Sequence, residues 1–409
     1  MPTSPNSIAQ AVGQPRSPTG LVLTGGGARA AYQVGALRAV LDILDPESRP
    51  GFHNPFPIIC GTSAGSINAT ALACRADRPH LAVRRIQRLW ESLHTSMVYR
   101  ADAPGLIKTG VRWLGLLALG WMFSGLGRER PRSLLDNKPL AELLTRVLDF
   151  EHLHANLQHN ALNALAITAS GFTSGEHLTF YQANHAIDPW HRSLRRALSV
   201  RIGVEHLMAS SSIPFVFPAQ PVDVQGQREW CGDGSMRQLA PISPAIHLGA
   251  ARVLVIGTSF RDETHPEKRE ASPPYPSLAQ VGGHVLSSIF LDGLSMDLER
   301  LERINELVTY IGHDPAVGGG VRRVNVLTLT PSQSLDLLAL DYLSEMPLEA
   351  RTLFRVLGVS SDPDRSGGGA LLSYLLFEGA YTQRLIELGY ADTMRRSEDV
   401  AGFFKEGQA

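Results

Sequence analysis

The 409-residue chain holds 38 basic and 39 acidic side chains, a formal net charge of −1, and 44% hydrophobic residues. So neutral a balance excludes the basic excess on which nucleic-acid binding rests. Three cysteines, Cys60, Cys74 and Cys231, exclude a disulfide framework and imply a reduced compartment. Residues 1–19 are rich in Pro and Ser and lack the apolar stretch of a signal peptide, so they read as a flexible lead-in to a cytoplasmic protein. Leu21-Val22-Leu23 then forms a short apolar run, fit for a buried parallel strand. Thr24-Gly25-Gly26-Gly27-Ala28-Arg29 follows, and Ala31, Val34, Leu37, Ala39, Val40 and Leu44 recur at helical spacing. A glycine loop opening a helix offers backbone N–H groups to an anion. Pro57-Ile58-Ile59-Cys60 is a second apolar run, ending in Gly61-Thr62-Ser63-Ala64-Gly65, with a small-residue helix over Ser66–Cys74. That G-x-S-x-G is the strained turn that lifts a serine from a strand end, where Gly61 and Gly65 leave room that side chains would fill. A nucleophile and an oxyanion hole are the two parts that acyl transfer most needs.

Further along, Trp113–Gly127 is uncharged and the most hydrophobic stretch. It is shorter than the about 20 residues of a membrane span. Lys108 and Arg112 precede it, and Arg128, Arg130 and Arg132 follow. Residues 111–127 therefore read either as an interfacial contact or lid over a lipid site, or as a buried helix. A helix is expected over Leu134–Leu148 and a strand over Ala161–Ser170. Next come the loop Ser210–Pro218, the turn Trp230-Cys231-Gly232-Asp233-Gly234-Ser235, a helix over Ser243–Leu248 and a strand over Arg252–Gly257. The polar, Pro-rich Asp262–Ser277 reads as a boundary loop. Beyond it are expected a helix over Val281–Tyr310, a strand over Val324–Leu329, and helices over Ser344–Leu357 and Ala370–Leu388. The runs Gly318–Gly320 and Gly367–Gly369 read as loops. Strands alternating with helices predict an α/β fold, with a mainly parallel central sheet and helices on both faces.

A serine needs a base. Asp233, held between two glycines, is one candidate, although Asp-Gly alone also describes an ordinary hairpin turn. A Ser-Asp-His triad would use Ser63, Asp233 and one of His247, His265, His284 or His313. The glycine loop has its own alternative: Gly25-x-Gly27-x-x-Ala30 fits a dinucleotide fingerprint, which would make the chain an NAD(P)-binding oxidoreductase. That reading needs an acidic residue at the end of the second strand. The strand ends instead in Gly61-Thr62-Ser63, and Asp42 and Asp45 fall at the end of the first helix. No C-x-x-C or H-E-x-x-H spacing points to a metal.

The G-G-G-x-R loop, the G-x-S-x-G elbow and the D-G-S turn, in this order, resemble the patatin-like phospholipase family. The helix Ala31–Leu37 and the stretch Ala209–Pro218 share the resemblance. The resemblance covers roughly residues 20–260, and it implies a serine–aspartate dyad without histidine. Ser63 would be the nucleophile and Asp233 its base. Gly25, Gly26 and Gly27 would form the oxyanion hole, braced by Arg29, with Gly61 and Gly65 shaping the elbow. No cofactor or metal is implied, and the partner is a lipid or lysolipid whose fatty-acyl ester is cleaved through an acyl-enzyme. Two residues depart from the family pattern. Ser235 stands where Gly or Ala is usual, and Thr24 where Asp or Ser is frequent. The implied organisation is a lead-in over 1–19, a hydrolase domain over 20–260, and a largely helical C-terminal extension over 261–409 packed on it.

Overall fold

The structure, a computed structural model, describes residues 18–100, 133–260, 275–311, 322–360 and 368–405. The segment 111–127, most of the boundary loop, His265, His313 and Gly318–Gly320 lie outside them. Among the described residues ten strands form one sheet. They are β1 (Thr19–Leu23), β2 (Ile58–Thr62), β3 (Ala164–Gly171), β4 (His177–Ala183), β5 (His191–Arg192), β6 (Arg195–Ser199), β7 (Gln220–Val224), β8 (Gln227–Asp233), β9 (Arg252–Ile256) and β10 (Asn325–Leu329). The order β10-β9-β1-β2-β3 is parallel throughout. β1, β2 and β3 are buried along their whole length, as expected of apolar strands covered on both faces.

The other half of the sheet is mixed. β3 turns back tightly into the antiparallel β4, and β7 and β8 form a hairpin through Gln225-Gly226. β8 returns to pair antiparallel with the last three residues of β3. The sheet is therefore mostly parallel rather than uniformly so, because short turns such as Gln225-Gly226, both with positive φ, can join only antiparallel strands.

Several expected boundaries move. The helix expected over Leu134–Leu148 runs from Lys138 to Val147, with Pro139 in its first turn. Ahead of it, the Leu134 and Leu135 N–H groups bond to the carbonyls of Phe215 and Val216. The helix expected over Ala370–Leu388 is two helices, Gly369–Leu375 and Gly379–Arg395. The break falls where buried Glu378 turns its carboxylate to the Thr95 N–H and His94. The expected Ser344–Leu357 helix starts at Leu348, after Pro347.

The helix Ala31–Leu44 is buried on nearly every side, because Gly379–Arg395 packs along it opposite the sheet. A Cβ on Gly35 would fall 1.9 Å from the Ile386 carbonyl oxygen, and one on Gly389 2.1 Å from that of Tyr32. The two backbones touch at a contact that only glycine permits. No described helix is long and apolar enough to cross a membrane.

Candidate active site

Ser63 and Asp233 are brought together by the register of β3. β2 runs parallel to β3 and ends with Thr62 paired to Thr168. β8 runs antiparallel along the same edge of β3 and ends with Asp233 paired to Ala169. Thr168 and Ala169 are consecutive, so two strands meet head-on with their carboxyl ends abutting. Strand ends in an α/β sheet are where ligands bind, and here two ends share one point.

Ser63 follows β2 at φ 54° and ψ −131°, a left-handed conformation costly for a residue with a Cβ. Its surroundings hold it there. The Ser63 N–H donates to Ser210 Oγ at 2.8 Å, and its carbonyl accepts from Ser66 Oγ at 2.6 Å. A Cβ on Gly61 would fall 2.6 Å from the Gly65 oxygen, and one on Gly65 2.4 Å from the carbonyl oxygens of Leu23 and Thr24. The elbow thus rests directly on the end of β1, where the glycine loop begins.

Asp233 is fully buried. Its N–H donates to the Ser212 carbonyl, and its Oδ1 accepts the Ser235 N–H at 2.9 Å. Oδ2 has no hydrogen bond of ordinary geometry among the described residues. Burial pushes the carboxyl up to about 6, against the opposing pull of the Ser63 hydroxyl and of Ser235. Asp233 ends a strand and opens a turn of 3₁₀ helix, Gly234–Arg237, rather than forming an isolated hairpin turn. The Ser235 hydroxyl is buried and lies against the glycine loop, 2.5 Å from where a Cβ on Gly25 would stand.

The loop Gly25–Gly27 leads into a short 3₁₀ turn and then the helix Ala31–Leu44. Gly27 has φ 55°, and a Cβ there would fall 2.1 Å from the Tyr374 oxygen. Thr24 anchors the loop by its carbonyl, which accepts from Gln33 Nε2 at 2.8 Å. Gln33 in turn accepts from Asn68 Nδ2, and Asn68 from Trp90 Nε1. This buried chain ties the helix after the loop to the helix after the elbow. Arg29 contacts the C-terminal helices. Its guanidinium lies 3.9 Å from the Tyr374 ring centroid and bonds to Ser373 Oγ and Asp336. Asn68, Asp336 and Ser373 carry no motif, and Gln33 and Ser210, although inside stretches that share the resemblance, have nothing in the sequence to mark their roles.

Gly27 and Ser63 open onto a cavity of about 350 Å³ walled mainly by apolar residues, among them Ile67, Ile86, Leu143, Phe217 and Phe377. The two described histidines of the triad alternative are elsewhere. His247 stacks on Trp190 at 4.7 Å and bonds the Ser243 carbonyl, and His284 lines a separate cleft beside Asp336. Nor does the dinucleotide alternative find its carboxylate. Asp45 is buried under Arg49 and His80, and Asp42 faces Arg38 and Tyr390. Cys60 and Cys231 are buried strand residues whose thiols burial pushes up, away from reactivity.

The family model for patatin-like phospholipase matches residues 21–246, more than half of the chain. The chain belongs to the patatin-like phospholipase family. The glycine loop, the elbow and strands β2 to β8 fall in the matched span, whereas Asp336, Ser373, Tyr374 and Phe377 lie beyond it. Solved structures similar to the chain include VipD from Legionella pneumophila, 13% identical with a TM-score of 0.34, over 94% of this chain and 67% of that one. Human GIVD cytosolic phospholipase A2, in complex with methyl gamma-linolenyl fluorophosphonate, is 12% identical with a TM-score of 0.43, over 96% and 59%. The type III effector protein ExoU is 14% identical with a TM-score of 0.32, over 94% and 54%. The chain thus spans between about half and two thirds of the length of these solved chains. No curated protein matches it. Membership of the patatin-like family implies a hydrolase of lipid acyl esters.

Proposed function

We propose that this patatin-like protein is a serine acyl hydrolase acting on phospholipids or lysophospholipids through a Ser63–Asp233 dyad. The observation that carries the reading is the meeting of β2 and β8 on consecutive residues of β3, which sets a strained serine beside a buried carboxyl. Aspartate at its ordinary pKa is a weak base, but one raised to about 6 is better matched to a hydroxyl near neutral pH. Ser63 Oγ attacks the ester carbonyl while Asp233 takes its proton. The N–H groups of Gly25, Gly26 and Gly27 receive the oxyanion, and none of the three has an acceptor among the described residues. Arg29 braces that loop from behind through Ser373 and Asp336. The alcohol leaves with the proton, and water deprotonated by Asp233 releases the fatty acid from the acyl-enzyme.

Fluorophosphonate labelling with peptide mapping tests the assignment. The label is expected on Ser63, dependent on Asp233. A label on another serine, or wild-type labelling of Ser63→Ala, would overturn it.

A further inference from the structure

The cavity beside Ser63 has a direction. From the helix Ala64–Ala73 and the turn after it, the lining residues are Ala64, Ile67, Asn68, Ala71, Cys74 and Arg75. This spacing marks one face of a helix along its whole length. The helix Pro79–Glu91 runs back beside it, with Trp90 bonded to Asn68 near the serine and Ala82 and Arg85 at the other end. The helix Lys138–Val147 supplies the third wall and finishes at Val147, Leu148 and Asp149.

The two ends differ in character. At the serine end Ser63 is 2% exposed and Ala64 6%. At the far end Arg75 pairs loosely with Asp149 at 3.7 Å, their side chains 27% and 48% exposed, and Arg85 is also open to water. An apolar channel thus leads from the nucleophile to a wet, charged rim.

We infer that this channel measures the acyl chain, with Ala71 and Cys74 setting the length that is accepted. The inference rests on Ser63 being the nucleophile. From Ser63 to Cys74 the helix axis advances about 16 Å at 1.5 Å per residue. An extended chain covers about 1.2 Å per bond, by the measure of a polypeptide's three bonds in 3.3–3.6 Å, so about a dozen carbons reach Cys74. Each methylene up to that point leaves water for an apolar wall, which raises kcat/KM by up to about fourfold. Carbons beyond it meet Arg75, Asp149 and solvent, where they gain nothing. The rim is also too far from Ser63 to hold the phosphate of a substrate whose ester lies at the serine, because only a few bonds separate ester from phosphate in a phospholipid. The arginines therefore end the tail site rather than bind a headgroup.

The test is a series of p-nitrophenyl esters from butyrate to stearate at fixed surfactant. Wild-type kcat/KM is expected to climb to about C12 and then level or fall. In Ala71→Phe the ratio of dodecanoate to butyrate turnover should drop at least tenfold, with the optimum moved to shorter chains. A steady rise through C18, or equal loss on butyrate and dodecanoate in a folded Ala71→Phe protein, overturns the inference. The wild-type series decides the matter even if that variant fails to fold. Butyrate hydrolysis that survives Ser63→Ala would instead remove the nucleophile assignment, a different failure from a flat chain-length profile that needs Ser63.

Discussion

The surroundings of Ser63 come from two regions built on different principles. One is the junction of β2, β3 and β8, inside the family-matched span, where position follows from strand register alone. The other is the helical region beyond residue 246, which reaches the back of the glycine loop through Tyr374, Ser373 and Asp336 and the cavity through Phe377. The first region supplies the groups proposed to change bonding during the reaction. The second supplies packing, with a tyrosine carbonyl where a Cβ on Gly27 would otherwise go. Chemistry and stability should therefore separate in the first region and move together in the second.

The largest expected effect is at Ser63. Ser63→Ala should lower ester turnover by roughly 10³-fold or more with little change in melting temperature, measured on the purified protein with a short-chain ester. Wild-type turnover in that variant would end the separation.

Asp233→Asn should be nearly as inactive, and the double variant hardly worse than either single one, because residues acting as a unit do not add. Stability should move the other way. Burial raises the folded-state pKa of Asp233 to about 6, above its unfolded value. The stability tied to this group is therefore fully present below the unfolded pKa and is lost as pH rises through about 6. At neutral pH the buried charge costs about 2–3 kcal/mol, which the neutral amide avoids. Calorimetry should find Asp233→Asn more heat-resistant than wild type at pH 7. In wild type, kcat/KM on a soluble ester should fall on the acid side of about pH 6.

Gly27→Ala should cost roughly 10²-fold in kcat, the scale of one lost oxyanion donor, and also lower the melting temperature, since Tyr374 must shift. Asp336→Asn should weaken the hold on buried Arg29, with Ser373 still in place, and lower stability by about 1–2 kcal/mol. Its turnover should fall in proportion to lost loop order, read as a lower kcat at similar KM. A stable Asp336→Asn protein with wild-type kcat would show the second region to be mere cover. The smallest effect is expected from Ser235→Ala. Its hydroxyl helps hold the Asp233 carboxyl down, so its loss should move the acid limb of the pH profile slightly upward.

The glycine loop, the elbow and the D-G-S turn were all legible as motifs because each marks a local backbone demand. Gly65 must lie on the Leu23 and Thr24 carbonyls, and Ser63 must take a left-handed conformation. The supports were not legible. Ser210 lies 147 positions from Ser63, and Ser373 344 from Arg29, so no local pattern links them. The helix Pro79–Glu91, a wall of the cavity, carries no motif of its own, although Ala82, Val83, Ile86 and Trp90 line its buried face.

Chain-local information was enough for the α/β class, the order of the motifs and the choice of Ser63 and Asp233 as the candidate pair. Backbone conformation and hydrophobic period act over a few residues, and the sequence displays them directly. Only the folded chain decided that β2 and β8 end on neighbouring residues of β3, that Asp233 loses its water, and that three helices enclose a channel with one wet end. Register, desolvation and cavity shape each depend on which distant segments exclude solvent together, a property of the packed whole that no window of sequence contains.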